Sequence, residues 1–376
     1  LKYANTIKEE ISHSVEDFDR VMKWGFGWEA GPFEMIDMIG AERVGIESKP
    51  FYCDGKMLGF SGSYVERKHE PQYAQITDFP VISSHEGFNV RDMGDGVHAV
   101  STTVKMGVFS PALIHALCDY LESGKSQHIV LTSEARVFSA GFDLKFILDC
   151  IAAEDLGPVD EELRHFQRLG DLLRQTRSCA AVFGTCLGGG FEMAASCSLI
   201  AAAPETQIGL PESRVGVLPS GGGNAIMHLR SQHNAKALAE ATTLLVTGTV
   251  AANADEARKK GFLRESDVTV YHPDRLMTTA KALALRAEPT GERQWINVAG
   301  PVLGMVDRAV EELCKSGELT QHDCLIGEKI KSAMVKSTSR EDSLERERKA
   351  FLELLKEGLS RTRMKHMVEN GKPLRN

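Results

Sequence analysis

The sequence predicts an α/β layered fold for the middle of the chain, because short buried strands alternate there with amphipathic helices. Residues 88–104 carry alternating apolar positions around Gly94-Asp95-Gly96, which indicates a β-hairpin. The alternation then comprises a helix at 111–121, a strand at 128–133, a helix at 160–177, a strand at 180–185, a helix from Gly189, and strands at 198–203 and 207–210.

The two ends of the chain differ from this α/β middle. The N-terminal apolar residues recur at helical spacing, and after residue 235 the sequence is mostly helical, most clearly at 275–287 and 343–363. The intervening stretch before the hairpin mixes Gly, Pro and charge without a clean period. The predicted modules are a helical segment at 1–50, a connecting segment at 51–85, an α/β core at 86–265 and a helical C-terminal region at 266–376.

Composition excludes several classes of function. The chain has 376 residues, is 42% hydrophobic and carries a formal charge of −8, which argues against nucleic acid as a main partner. Its apolar runs are too short for a membrane-spanning helix. Eight cysteines include no CxxC pair and the histidines have no partner at a suggestive spacing, so we expect no metal site and a reducing, cytoplasmic location. Because Leu1 replaces the usual Met, we expect a fragment of a longer chain, and we see no signal peptide.

Two glycine turns could position backbone donors. In VFSAGFDLKF, Gly141 follows a buried strand and permits a backbone twist that aims the N–H of Phe142 into a cavity. In LGGGFE, the strand-to-helix turn presents the N–H of Gly189, strengthened by the helix dipole. Two N–H groups that converge on one point would form an oxyanion hole.

Two glutamates accompany these turns, and each has two interpretations. Glu192 lies in the first turn of the helix that begins at Gly189, and Glu212 follows Pro211 at the next predicted helix start. Each could merely complement a helix dipole. Alternatively, the pair could hold a water, with one carboxylate removing its proton while the other supplies a proton elsewhere.

The segments AGFDLKF, GTCLGGGFEMAASC and IGLPESRVGVLPSGGG together resemble the signature segments of the crotonase family of CoA-thioester enzymes over residues 86–265. The resemblance implies a spiral of ββα units and a trimer or a dimer of trimers. It also implies that the N–H groups of Phe142 and Gly189 bind the thioester oxygen. Residues of the segment that would line the CoA arm are Phe142, Asp143, Leu144 and Lys145.

Both acidic positions found together in enoyl-CoA hydratases are present. By resemblance, Glu212 would protonate the α-carbon while Glu192 helps to activate the water. The implied reaction is hydration of a 2-enoyl-CoA to a 3-hydroxyacyl-CoA in fatty-acid β-oxidation, with the acyl-CoA as substrate and no permanently bound cofactor or metal. A Δ3,Δ2-enoyl-CoA isomerase and a non-catalytic acyl-CoA docking or assembly module are the alternatives. Candidate residues for chain-length preference are Phe191, Phe146 and Met193.

The N-terminal segment MKWGFGWEAGPFEMIDMIGAERV resembles the closing helical unit of 3-hydroxyacyl-CoA dehydrogenases. This resemblance implies a fused protein with a dehydrogenase first and a hydratase second. The NAD-binding part would then lie upstream, so we expect no dehydrogenase activity from this chain. Without a partner these helices would expose Trp24, Trp28 and Phe33, and we expect them to pack on the α/β core or on a neighbouring chain.

Overall fold

The computed structural model describes residues 1–67, 72–291 and 294–376. The chain forms two compact units, Leu1–Tyr73 and Ala74–Asn376. Among the described residues, no helix combines the length and apolar character required to cross a bilayer. The units do not follow the predicted module borders, since the second unit contains both the α/β core and the C-terminal helices.

The first unit combines three helices with a small sheet. Its helices are α1 (Lys2–Ile11), α2 (Val15–Phe26) and α3 (Pro32–Ile39), as the apolar spacing predicts. An antiparallel meander follows, made of β1 (Tyr52–Cys53), β2 (Lys56–Leu58) and β3 (Tyr64–Glu66). The prediction of a plain connecting segment at 51–85 is therefore wrong for this stretch. The strands were missed because two or three residues are too few to show a period in the sequence.

This unit has a hydrophobic core of its own, formed by Val15, Phe33, Ile36, Ile46 and Phe51. Phe33 is fully buried within that cluster, whereas Trp28 remains 43% exposed. Phe33 is therefore buried within the first unit itself, whereas we expected it to be covered by the α/β core or by a neighbouring chain.

One buried carboxylate ties the first unit together. Asp19 in α2 accepts hydrogen bonds from the backbone N–H groups of Phe33 (2.8 Å) and Glu34 (3.1 Å) at the start of α3. It also accepts one from the Tyr52 hydroxyl at 2.7 Å. Burial raises the pKa of Asp19 to about 6, although these hydrogen bonds oppose the shift. The carboxylate thus links α2, α3 and β1.

The second unit is built on a seven-stranded sheet with the order β13-β10-β8-β7-β6-β5-β4. The predicted hairpin is present, because β5 and β6 pair antiparallel, whereas the strands from β6 to β13 run parallel. The strands are β4 (Val81–His85), β5 (Phe88–Asp92), β6 (Val97–Thr102), β7 (His128–Ser133), β8 (Arg177–Val182), β10 (Leu199–Ala202) and β13 (Val268–Thr269). The α/β prediction is confirmed.

Both faces of this sheet are covered, which explains its nearly continuous apolar strands. In β8, Ala180 and Val182 lie in the main core of the unit. The alternate residues Cys179 and Ala181 lie in a second cluster with apolar residues of helix α11 (Leu276–Arg286). Side chains of a strand alternate between the two faces, so one short strand contributes to both clusters.

A second, three-stranded sheet has the order β12-β11-β9, with β9 (Thr185–Leu187), β11 (Gln207–Gly209) and β12 (Val250–Ala251). The predicted strand at 180–185 is thus two strands in different sheets. Gly184 separates them in a left-handed conformation with φ 62°, a backbone twist that favours glycine. This turn directs the chain from the large sheet toward the start of helix α7 (Gly189–Ser196).

Helices make up the rest of the second unit. They are α4 (Pro111–Glu122), α5 (Leu144–Ala152), α6 (Gly157–Gln175), α7 (Gly189–Ser196), α8 (Gly223–Ser231), α9 (Ala235–Thr247), α10 (Ala254–Lys259), α11 (Leu276–Arg286), α12 (Gly300–Ser316), α13 (Gln321–Met334), α14 (Arg340–Leu354) and α15 (Gly358–Asn370). The helix predicted at 343–363 is interrupted: Glu357 adopts an extended conformation before Gly358, and glycine weakens a continuous helix there.

The cysteines differ in their environments. Cys186 and Cys197 are buried in the main core, as predicted. Cys314 of α12 and Cys324 of α13 form a disulfide, a pairing that their sequence spacing did not indicate.

Candidate active site

The two predicted backbone donors lie side by side. Gly141 has φ 112° and Gly188 has φ 54°, so both turns depend on conformations that favour glycine. A Cβ placed on Gly189 would lie 3.2 Å from the Phe142 nitrogen, which shows how closely the two turns approach. The structure therefore brings together the N–H groups of Phe142 and Gly189.

Both N–H groups are available to a ligand. Phe109 donates its N–H to the Gly141 carbonyl and accepts from the N–H of Asp143, which leaves the N–H of Phe142 between them unused. Gly189 begins α7, where backbone N–H groups have no partner within the helix. Within the described parts of the chain, neither N–H donates a hydrogen bond.

Ser139 fixes the geometry of both turns. Its hydroxyl accepts a hydrogen bond from the N–H of Gly141 at 3.1 Å and donates to the carbonyl of Gly107 at 2.6 Å. Its carbonyl accepts from the N–H of Leu187, the last residue of β9. Ser139 is buried, and its role was not recognised in the sequence.

Glu192 lies in the first turn of α7, as predicted, but its carboxylate does not bind the N-terminus of that helix. Its Oε1 accepts hydrogen bonds from the N–H groups of Gly221 at 2.8 Å and Gly223 at 2.7 Å. Burial raises the pKa of Glu192 to about 7, and the two hydrogen bonds oppose that shift. The glycine-rich segment SGGGN therefore holds this carboxylate in place.

Glu212 begins a single 3₁₀ turn, Glu212–Val215, rather than an α-helix. A Cβ placed on Gly188 would lie 3.0 Å from Oε1 of Glu212, so this carboxylate lies against the turn that presents Gly189. Its Oε2 is buried and has no hydrogen-bond partner within the described chain. Burial, followed by the charge of Glu192, raises the pKa of Glu212 well above its usual range.

The environments of the two acids therefore differ in a useful way. Burial raises the pKa of Glu192 to about 7, whereas burial together with the charge of Glu192 raises the pKa of Glu212 well above its usual range. Groups whose pKa values are raised by burial and by a neighbouring charge are typical of acid–base sites. Neither carboxylate lies at the start of its own helix: Glu192 binds the N–H of Gly223, the first residue of α8, and Glu212 lies against Gly188, which precedes α7.

The segment predicted to line a CoA arm adopts a capped helix start. Asp143 accepts hydrogen bonds from the N–H groups of Lys145 and Phe146, so its side chain caps α5. Leu144 is half-buried against the main core. Lys145 is exposed and pairs with Asp149.

The candidate chain-length residues separate into two groups. Phe191 and Met193 are fully buried, and Phe191 contacts Phe262 at a ring-centroid distance of 5.3 Å. Phe146 is half-buried, with its ring 6.4 Å from that of Phe142. Phe146 therefore lies beside Phe142, a predicted hole residue.

A third carboxylate, which sequence reasoning missed, reaches this region from the C-terminal helix α14. Oε2 of Glu347 accepts hydrogen bonds from the side-chain amide of Asn224 at 3.0 Å and from its N–H at 3.3 Å. Gln167 donates to the carbonyl of Ser220 and to Oε1 of Glu347. Burial and the charge of Glu192 raise the pKa of Glu347 well above its usual range. Its position in a charged run, RERK, gave no signal of burial.

Residues 106–288 match the family model described as enoyl-CoA hydratase/isomerase. A Bacillus subtilis protein named as a 3-hydroxyacyl-CoA dehydrogenase is 31% identical over an alignment that covers 100% of this chain and 54% of that protein. A Mycobacterium bovis protein named as an enoyl-CoA hydratase is 36% identical, over 42% of this chain and 55% of that protein. The chain thus spans about half the length of these two relatives.

The fold has solved counterparts. A crystal structure of an enoyl-CoA hydratase/isomerase from Mycobacterium paratuberculosis matches with a TM-score of 0.50 and 19% identity, covering 77% of this chain and 99% of that one. This similarity confirms the predicted crotonase fold. The family match, in turn, shows that residues 106–288 of this chain form a domain of the enoyl-CoA hydratase/isomerase, or crotonase, family.

Proposed function

We propose that this chain hydrates a 2-enoyl-CoA to a 3-hydroxyacyl-CoA. The observation that carries the proposal is the presence of two carboxylates with raised pKa values, Glu192 and Glu212, beside two N–H groups that have no acceptor within the described chain. Acid–base chemistry at an activated thioester requires these two kinds of group together.

In the proposed reaction, the thioester oxygen accepts hydrogen bonds from the N–H groups of Phe142 and Gly189, which stabilise the enolate. Ionised Glu192 takes a proton from water as the water oxygen bonds to the β-carbon. Protonated Glu212 gives its proton to the α-carbon. The double bond gains one water in total, and a proton returns from Glu192 to Glu212 through solvent.

Isomerisation of a 3-enoyl-CoA is the second candidate, and the strongly raised pKa of Glu212 favours it. A single carboxyl that exchanges its proton readily could move one proton between two carbons of the same enolate. Hydration in addition requires a second carboxylate to activate water. The binding of Glu192 by Gly221 and Gly223 favours that second role.

A pair of assays separates the candidates. Crotonyl-CoA and a 3-enoyl-CoA are supplied separately to the chain, and the products are identified by mass and chromatography. We expect 3-hydroxyacyl-CoA from crotonyl-CoA. Conversion of only the 3-enoyl substrate would establish the isomerase instead. Saturable acyl-CoA binding without any turnover would identify a docking module and overturn the proposal.

The wider setting follows from the named relatives and is part of the same proposal. The match to a 3-hydroxyacyl-CoA dehydrogenase over the whole chain supports a place in a longer fused protein of fatty-acid β-oxidation. A cytoplasmic location is part of the same proposal. NAD would then bind to a part absent from these residues. We also propose a homo-oligomer, a trimer or hexamer, which sedimentation would test.

A further inference from the structure

Helices α4 and α6 bring three potential metal ligands together on the second unit. His115 comes from α4, while Glu162 and His165 lie three residues apart on α6, so that the latter two project from the same face. The Glu-Leu-Arg-His segment of α6 obtains its third potential ligand, His115, only because α4 packs on α6. His115 is distant in the sequence, which explains why the histidines showed no partner there.

The three ligand atoms form a tight triangle. Nε2 of His115 lies 2.8 Å from Nδ1 of His165 and 2.9 Å from Oε1 of Glu162. Nδ1 of His165 lies 3.6 Å from the same Oε1. Three atoms at these separations fit on a sphere with a radius of about 2.1 Å, the bond length of Zn²⁺ to imidazole nitrogen and carboxylate oxygen.

Hydrogen bonds alone do not give every nitrogen and oxygen atom of this cluster a partner. If both imidazoles are neutral, the ring nitrogens offer at most one N–H each, and Nε2 of His115 faces both other atoms. Glu162 is 8% exposed, and its second oxygen, Oε2, is buried with no hydrogen-bond partner in the described chain. A carboxylate that is buried and only partly satisfied is costly unless it has a cation to pair with.

The surroundings suit an ion with an open coordination position. The side chains of His115 and His165 are 47% and 39% exposed, so water can reach the outer side of the triangle. Three protein ligands with a fourth position left to water are typical of open zinc sites, whereas structural zinc sites have four protein ligands. The nearby thiol of Cys118 donates a hydrogen bond to the backbone carbonyl of His165 at 3.8 Å.

We propose that His115, Glu162 and His165 bind one divalent transition-metal ion of the Zn²⁺ class. Imidazole nitrogen and carboxylate oxygen are suitable ligands for such ions. This proposal departs from our sequence-based expectation of no metal site, which rested on the absence of a CxxC pair and of histidines with a partner at a suggestive spacing.

Bound metal would connect two helices that support the candidate active site. On α6, Phe166 follows His165 directly and its ring contacts that of Phe142 at a centroid distance of 5.4 Å. The ion would therefore clamp α4 to the helix that packs beneath the predicted hole. A ligand that binds only the folded state stabilises that state by RT ln(1 + [L]/Kd), so the melting temperature rises with the ligand concentration.

The test uses the full chain after chelator treatment and dialysis, with ZnCl₂ titrated by calorimetry. His115→Ala and His165→Ala are compared with His233→Ala, which removes another exposed histidine. All variants carry Cys53→Ser, because Cys53 is an exposed free thiol that could bind zinc by itself. Melting temperatures in chelator check that the folds are equivalent.

We expect one Zn²⁺ per chain, with a melting temperature that rises with zinc concentration. Loss of a residue that merely orients a ligand costs about 10–100-fold in affinity, so loss of His115 or His165 should cost at least about 100-fold. The His233→Ala chain should bind like the parent. The proposal is overturned if the parent shows no saturable binding, or if His115→Ala and His165→Ala bind zinc as tightly as it does.

Discussion

The carboxylate of Glu347 binds Asn224 twice, through the side-chain amide at 3.0 Å and the backbone N–H at 3.3 Å. Asn224 immediately follows Gly223, whose N–H binds Glu192. Glu347 of α14 thus positions the loop that contains Asn224 and Gly223. That loop in turn binds Glu192, a proposed catalytic carboxylate. The C-terminal helices therefore contribute to the site through this chain of hydrogen bonds.

This relationship predicts the effect of Asn224→Ala. The substitution leaves Glu347 with one donor fewer and frees the loop, so we expect a loss of about 1–3 kcal/mol in the free energy of unfolding. Because Glu192 becomes less well positioned, kcat should fall by about tenfold or more, with a smaller change in KM. Denaturant unfolding and steady-state kinetics measure the two effects.

Asn234→Ala is the matched control for this experiment. The side-chain oxygen of Asn234 caps α9 by accepting hydrogen bonds from the N–H groups of Lys236 and Ala237, and its loss should cost about 1 kcal/mol. It lies outside the proposed hydrogen-bond chain, so activity should remain at the parent level. Equal activity in Asn224→Ala and Asn234→Ala would show that the Glu347–Asn224 contact does not support the site.

A second prediction concerns pH. The pKa of Glu192 is raised to about 7, and the proposed reaction requires its ionised form. Activity should therefore be low in acid and increase with pH as Glu192 loses its proton near pH 7. A profile of kcat/KM against pH measures this, and Glu192→Gln should remove the acidic limb from whatever activity remains. An acidic limb centred near pH 4.5 would contradict the account.

A third prediction concerns the close packing of the oxyanion turn. A Cβ at residue 189 would lie 2.9 Å from Cζ of Phe166, so Gly189→Ala must displace the donor or the ring. Loss of one such donor costs about 100–1,000-fold in kcat, and we expect a fall in this range. Adding Phe166→Leu should restore part of the rate.

Gly358→Ala is the control for that substitution, because a Cβ there meets no atom within 4 Å. It should leave kcat unchanged. A Gly189→Ala chain as active as the Gly358→Ala chain would exclude the proposed use of this backbone N–H.

A fourth prediction concerns the stability of the first unit. The pKa of Asp19 is raised from 3.8 in the unfolded chain to about 6 in the fold. Between these values the folded unit binds a proton that the unfolded chain has lost, so the free energy of unfolding decreases as pH rises from about 4 to 6. Above pH 6 this contribution is absent.

Tryptophan fluorescence during urea unfolding can measure this dependence. Of the three tryptophans in the chain, Trp24 and Trp28 belong to the first unit, so Trp295→Phe restricts the signal to it. Asp19→Asn should flatten the dependence on pH between 4 and 6. An unchanged slope in Asp19→Asn would assign the dependence to other groups.

Local sequence patterns were sufficient to predict most of the second unit. The period of apolar residues predicted the hairpin, β7 and α4, because one or both faces of each element are buried against a core. Glycines next to strand ends predicted the donors of Phe142 and Gly189, since few other residues adopt the required conformations.

Features that depend on distant contacts were not predictable in this way. Glu347 lies in a charged run that reads as a solvated helix face, and only the packing of α14 shows that it is buried. His115 and His165 are 50 residues apart and meet only when α4 packs on α6. The meander of the first unit consists of strands of two or three residues, which leave no period.

The most direct test of the account is hydration of crotonyl-CoA by the parent chain, Glu192→Gln and Glu212→Gln. Each change preserves side-chain size and removes an acid–base group, so kcat should fall by at least about 100-fold in both variants. Glu205→Gln, at an exposed position, should match the parent. Hydration within a few-fold of the parent rate in either active-site variant would contradict the two-carboxylate mechanism.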